Sequence, residues 1–313
     1  MGKLAFVFPG QGAQTVGMGK EFYEGYDLGK KLFDEADEAL GYSIRKLCFE
    51  GPAEELTLTA NTQPAILTVS VIAASLLRER GIMPEVAAGH SLGEYSALVL
   101  AGVLDFQDAV RLVHKRGAFM QEAVPVGEGA MAAVLGLERD KIVAVCEEIS
   151  RESPVQAVNF NCPGQTVIAG AKAGVEKATE ALSAAGAAKC VILPVSAPFH
   201  STLMAPAARK LAAELDKVEI RDAAFPVVSN YTGELESKAA EIKENLVKQA
   251  DHPVKWEDCV AAMVAFGATH FVEAGPGKTL CGFNKRIDRT LKNMNVENSV
   301  SLEKTLDTLK EVR

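Results

Sequence analysis

The sequence predicts an α/β fold: a parallel sheet with helices on both faces, interrupted by a smaller β-α-β-β-α-β unit. Three observations carry this. Short apolar runs alternate with helical stretches toward both ends of the chain, the rhythm of parallel βαβ units. The middle changes to strand, helix, strand, strand, helix, strand, which is the split βαβ or ferredoxin-like order. The 313 residues, at roughly 150 per domain, make about two domains or one with an insertion.

Taken in order, Leu4–Phe8 is an apolar run ended by Pro9-Gly10 and reads as a buried strand. Residues 17–50 and 64–80 read as helices. Val86–Ala88 is a short strand before Gly89, a helix runs from Leu92 onward, and another from about Asp105 to Glu122. In the middle, Met131–Leu137, Val155–Asn159, Thr166–Ala169 and Cys190–Val195 read as strands, with helices at Asp140–Ser150 and Val175–Ala185. This places a small inserted domain at 126–196, hinged at Gly127–Gly129 and Pro194–Pro198, within a large domain of 1–125 and 197–313. The large domain resumes with strands at Phe225–Ser229 and His270–Glu273 and a polar C-terminal helix.

Composition is that of a soluble enzyme or binding protein: 48% hydrophobic and 24% charged, close to ordinary globular usage. A net charge of −8 argues against a nucleic-acid partner, whose phosphates are bound by Lys and Arg. No apolar run of about 18 residues stands out as a membrane span, and the residues before Pro9 are too few for a signal peptide. A lipid anchor at Gly2 conflicts with the strand that follows. Six scattered cysteines (48, 146, 162, 190, 259, 281) with no C-x-x-C pair point to free thiols in a reducing compartment, hence the cytoplasm, and to no zinc site.

Gly89-His90-Ser91-Leu92-Gly93 fits G-x-S-x-G, with a strand before it and a helix after it. Such a turn needs small residues on both sides, projects the serine outward and sets it at the positive end of a helix dipole. The N–H of Leu92 is then available to an oxyanion; a Gly-Ser turn without chemistry is the plain alternative. A serine needs a base. His114 and His270 read as structural, His90 as a packing neighbour, and His252 sits in an exposed turn beside Asp251. His200 lies at a strand's exit, where catalytic groups of open α/β sheets collect; it stands against His252 and a purely structural role. Arg116 falls on the apolar stripe of its helix, four residues from both Leu112 and Met120. A guanidinium aimed at a core needs an anion: either a structural ion pair or a substrate carboxylate, which its planar fork suits. Gln11, after the first strand, is placed to add an oxyanion-hole N–H. The segments Gly10–Thr15 and Gly275–Thr279 each miss a position of the phosphate-loop patterns they approach.

Together the chain resembles the malonyl-CoA:acyl carrier protein transacylases of fatty acid synthesis and, more broadly, the acyltransferase domains of polyketide synthases. The likeness covers essentially the whole chain. It rests on Phe8-Pro9-Gly10-Gln11-Gly12, Gln63-Pro64-Ala65, Gly89–Ala97, Arg116-Gly-x-Phe-Met-Gln and Gly129–Val134. It continues through Asn159-Phe-Asn-x-Pro-Gly-Gln, Val195-Ser-x-Pro-Phe-His, Asn230-x-x-Gly and Glu273-x-Gly-Pro-Gly. The resemblance implies a large α/β-hydrolase-like domain interrupted by a ferredoxin-like subdomain. It implies Ser91 as nucleophile, His200 as base, Arg116 gripping the malonyl carboxylate, and Gln11 and Leu92 as oxyanion donors. A main-chain carbonyl near a glutamine, matched by Gln249, would orient the histidine in place of an acid. Phe199 would crowd a methyl branch and so favour malonyl over methylmalonyl; Asn159 and Asn161 would line the cleft or cap strands. Malonyl would pass from coenzyme A to Ser91 and on to the phosphopantetheine thiol of acyl carrier protein, in two displacements. No permanently bound cofactor and no metal are expected; the coenzyme A thioester is substrate, and the protein is expected to act as a monomer. Lys285, Arg286 and Arg289 form a basic cluster that could meet coenzyme A phosphates or the carrier, or be a solvated helix face. A trans-acting polyketide acyltransferase would share every motif. A serine esterase or thioesterase would have no need of Arg116, and a non-catalytic carrier-binding protein would have none of the Ser91–His200 pair.

Overall fold

An unbroken apolar run in a strand implies burial on both faces, and residues 4–8 are all buried in β1 (Lys3–Phe8). The computed structural model describes residues 2–195 and 197–312. Met1, Arg313 and Ser196, the last within the expected Pro194–Pro198 hinge, lie outside the described residues. After β1 come β2 (Val86–Gly89), β3 (Gly129–Leu135), β4 (Val155–Cys162), β5 (Gln165–Ala171) and β6 (Lys189–Ile192). They are followed by β7 (Val227–Val228), β8 (Leu235–Glu236), β9 (Ala268–Ala274) and β10 (Lys292–Val296).

Among the described residues these form two sheets. The larger has the order β10-β9-β1-β2-β7-β8 and the smaller β4-β5-β3-β6. In the larger sheet every pairing is parallel except β7 with β8, so the α/β expectation holds. The smaller sheet is antiparallel throughout, with helices Arg139–Ile149 and Lys172–Ala184 contributing to a core on one of its faces. Met131, Val158, Val167 and Ala169 form a separate cluster against which Phe199 packs. Register shifts flank Asn159 in β4, and such irregularities re-aim side chains. The same strand is tied to the distant segment at Val254: its N–H donates to Val158 O at 2.8 Å and its O accepts from Phe160 N–H at 3.0 Å.

The helix Thr59–Glu79 is long and apolar enough by composition to cross a membrane, which no simple apolar run in the sequence announces; 89% of its most apolar stretch is buried within the fold. It is a core helix. Pro64 lies inside it and cannot donate to the carbonyl one turn back. That carbonyl, Ala60 O, instead accepts from His114 Nδ1 at 2.9 Å, giving His114 the structural task its sequence position implied.

Several expectations shift. The helical stretch 17–50 is three helices, Lys20–Gly25, Asp27–Leu40 and Ile44–Glu50, broken at extended Tyr26 and at Gly41, which adopts φ 74°. The ladder of β6 stops at Ile192, so the expected strand ends early, and Leu193 and Val195 line a pocket instead. The expected strand Phe225–Ser229 pairs only over two residues. Strand β10 was missed because its Lys-Asn-Met-Asn-Val sequence is poor in β-formers, as edge strands often are.

Candidate active site

β2 enters a turn so tight that side chains are excluded on both flanks. A Cβ on Gly89 would sit 1.8 Å from the Gly93 carbonyl carbon, and one on Gly93 would sit 2.1 Å from Phe8 O. Between them Ser91 is forced to φ 52°, ψ −107°, a conformation that costs a non-glycine residue of order 1–3 kcal/mol. The surroundings hold it there. Asn230, just past β7, accepts the Ser91 N–H on Oδ1 at 2.6 Å and donates Nδ2–H to Gly89 O at 2.7 Å. With the Ser91 N–H so engaged, Leu92, the first residue of helix Leu92–Leu100, is the elbow residue whose N–H can serve an oxyanion.

Ser91 Oγ lies 2.7 Å from His200 Nε2. The other ring nitrogen, Nδ1, is 2.8 Å from Gln249 O. A carbonyl only accepts, so Nδ1 carries the proton and Nε2 is free to accept the serine hydroxyl. Gln249 ends helix Ala239–Gln249. Its carbonyl belongs to the last turn, where unsatisfied oxygens carry partial negative charge; it stands where an aspartate would stand in a triad. Burial, and then the Arg116 guanidinium, push the His200 imidazole down to about 3, so the ring is neutral at pH 7.

Arg116 is 2% exposed. Nη1 donates to Gln63 Oε1 at 2.8 Å, and Nη2 to Gln249 Oε1 at 2.8 Å and Ser91 Oγ at 3.2 Å. Its guanidinium carbon lies 5.4 Å from the centre of the Tyr95 ring. The partners are amide and hydroxyl oxygens, and no carboxylate is within ion-pair distance of it among the described residues. Of the two sequence readings of Arg116, a structural ion pair is therefore absent from this structure.

One pocket is lined by Gln11, Gln63, Ser91, Leu92, Arg116, Asn159, Phe199 and His200, among others. The structure thus gathers Ser91, His200, Arg116, Gln11, Leu92, Phe199 and Asn159 around one space, with Gln249 directly behind. A second cavity shares Gln11, His90 and Asn159 with the first and leads past Gly10–Ala13 toward Phe283. Gln11 is anchored through Nε2 to Thr59 Oγ1 at 3.3 Å. His90 bonds Asn161 Oδ1 at 2.8 Å and stacks at a tilt on Trp256, centroids 5.7 Å apart. His252 bonds Asp251 Oδ1 at 2.7 Å and does not line the pocket with Ser91. In the basic cluster, Arg286 is committed to Gln165 Oε1 and Pro163 O, both at 2.8 Å.

The description "acyl transferase domain" fits residues 5–310 of the chain. The chain belongs to the acyl transferase domain family. It is 51% identical over 312 residues to the malonyl CoA-acyl carrier protein transacylase of Bacillus subtilis, covering 99% of this chain and 98% of the relative. Among solved structures it is similar to an acyl carrier protein S-malonyltransferase from Vibrio cholerae, with TM-score 0.95, 46% identity, and 97% and 99% of the two chains covered. A malonyl-transacylase in complex with a type II polyketide synthase acyl-carrier protein has TM-score 0.95 and 45% identity, covering 98% and 99%. In and behind the acyltransferase site lie residues to which the sequence reading gave no role: Gln63, Glu94 and Asn230, each inside a matched motif. Beyond the motifs, their signal was polarity at positions that the local pattern sends inward.

Proposed function

We propose that this acyltransferase moves malonyl from malonyl-CoA to the phosphopantetheine thiol of acyl carrier protein through a malonyl ester on Ser91, supplying fatty acid elongation. The observation that carries this is the buried Arg116 guanidinium, aimed at Ser91 Oγ with only neutral partners. A desolvated cation whose direct hydrogen-bond partners are all neutral is costly, and a substrate carboxylate offsets that cost.

His200 takes the Ser91 proton at Nε2 as Oγ attacks the thioester carbonyl. The N–H groups of Gln11 and Leu92 receive the oxyanion, and the imidazolium is steadied by Gln249 O. Collapse expels the coenzyme A thiolate, which takes the proton back from His200. The carrier's thiol then gives its proton to the same nitrogen and attacks the ester, reversing the sequence. Phe199 closes the pocket against a branched α-carbon, and Asn159 lines the path of the incoming arm. The reaction calls for no resident cofactor. The division into 1–125 with 197–313 as the catalytic part and 126–196 as the smaller part is supported by the antiparallel sheet between Gly129 and Ile192. A cytoplasmic setting is supported by the six free cysteines.

Replacing Arg116 tests the reading. Arg116→Ala should lower malonyl transfer by at least about 100-fold, the scale of a buried charged contact, while acetyl transfer is kept or rises. Equal loss of both would remove the carboxylate role. The polyketide-carrier complex among the relatives favours one second reading, transfer to a polyketide carrier, which a comparison of kcat/KM on the two carrier types decides.

A further inference from the structure

Glu94 is a fully buried carboxylate in the first turn of the helix that follows Ser91. It does not line the pocket, yet two segments more than 130 residues away converge on it. Oε2 accepts the backbone N–H of Asn230 at 2.9 Å and an Nε2–H of Gln249 at 3.0 Å. Oε1 has no hydrogen-bond partner. The Gln249 amide has its second Nε2–H on Ser91 O at 2.9 Å and its Oε1 on Arg116 Nη2 at 2.8 Å.

A primary amide in such a place has two orientations that differ by exchange of O and N. In the observed one, Nε2 faces two acceptors, Glu94 Oε2 and Ser91 O, and Oε1 faces a guanidinium. Exchanged, the oxygen would face two acceptors and the NH2 would face a cation, leaving buried polar groups unpaired at about 1–3 kcal/mol each. Without Glu94 the exchange would be opposed by Ser91 O and the Arg116 guanidinium, with one of the two acceptors on the Nε2 side gone. We propose that Glu94 is a positioning residue: it fixes the orientation of the Gln249 amide, whose oxygen in turn aims Arg116 at the carboxylate of the acyl group. The proposal rests on the role given to Arg116 above.

The requirement is for one acceptor at the right reach, since Oε2 takes both bonds. Burial, and then Glu236, push the Glu94 carboxyl up to about 8, in keeping with a group whose use here does not depend on full charge. A glutamine of the same length can offer its carbonyl oxygen at Oε2 and place its NH2 where Oε1 already lacks a partner. An aspartate keeps the carboxyl group and falls short of both donors.

The test measures kcat/KM for malonyl-CoA and acetyl-CoA in wild type, Arg116→Ala, Glu94→Gln and Glu94→Asp, with folding checked by circular dichroism. Glu94→Gln should keep the wild-type malonyl-over-acetyl ratio within about threefold, and Glu94→Asp should lower it at least about tenfold, a difference of 1.4 kcal/mol. Retained preference in folded Glu94→Asp, or loss of it in folded Glu94→Gln, overturns the positioning role. If Glu94→Asp does not fold, the Glu94→Gln arm still decides. Should wild type and Arg116→Ala show the same ratio, the role of Arg116 itself fails, which is a different result.

Discussion

Deep burial and a neighbouring guanidinium hold His200 near 3, far below the ordinary imidazole value of about 6.5. A lowered pKa keeps the unprotonated ring present at lower pH. Acylation of Ser91 in wild type should therefore stay flat from pH 8 down to about 5, with its acid limb below. Removing the Arg116 charge raises the ring's pKa, so in Arg116→Ala the limb should move up by about 1 pH unit or more. Rapid-quench acylation with acetyl-CoA checks both, since that acyl group has no carboxylate to titrate. A wild-type limb near 6.5 would contradict the environment described for His200. Phe199 is the residue for a second measurement. Phe199→Ala should raise the methylmalonyl-to-malonyl ratio of kcat/KM by about 10-fold, within the range one pocket methyl group commands; an unchanged ratio would assign the ring to packing alone.

At the scale of elements, the strand–elbow–helix around Ser91 was legible because its signal is local: glycines at fixed offsets, an apolar run before, a helical pattern after. Arg116 was legible because a charge on an apolar stripe contradicts its own helix. The layer behind them was legible only in part: the resemblance named Gln249 and gave Asn230 and Glu94 no role. Asn230, Glu94 and Gln249 come from segments separated by as many as 155 positions, and nothing in the local pattern of any one names the others. Helix breaks at Tyr26 and Gly41 and the polar edge strand β10 were lost for the related reason that weak local preference is settled by tertiary contact. The elbow makes its own prediction. In Gly93→Ala the added Cβ would meet backbone oxygen of β1, which cannot move without disturbing the central strand. A loss of about 3 kcal/mol in urea unfolding is expected, the upper range of overpacking; a wild-type midpoint would show that the turn has slack.

Across the whole molecule, the small sheet and its helix Arg139–Ile149 meet the segment Val254–Asp258 through a backbone bridge at Val254 and through Arg139. Arg139 pairs with Asp258 at 3.2 Å and lies 3.8 Å from the centre of the Phe160 ring. The pair is partly exposed, so Arg139→Ala should cost no more than about 1 kcal/mol. Its effect should show in water exclusion: faster hydrolysis of the acyl-enzyme, with the rate of acylation unchanged. The fold class, a parallel sheet with a βαββαβ insertion, followed from rhythm alone, and the pocket sits between contributions from both sheets. The central claim is a malonyl ester on Ser91 that a carrier thiol discharges. Intact mass after mixing with malonyl-CoA measures it most directly. Wild type should gain one malonyl group and lose it on addition of phosphopantetheinylated carrier protein, and Ser91→Ala should gain none. A malonyl adduct at full level on Ser91→Ala would contradict the account.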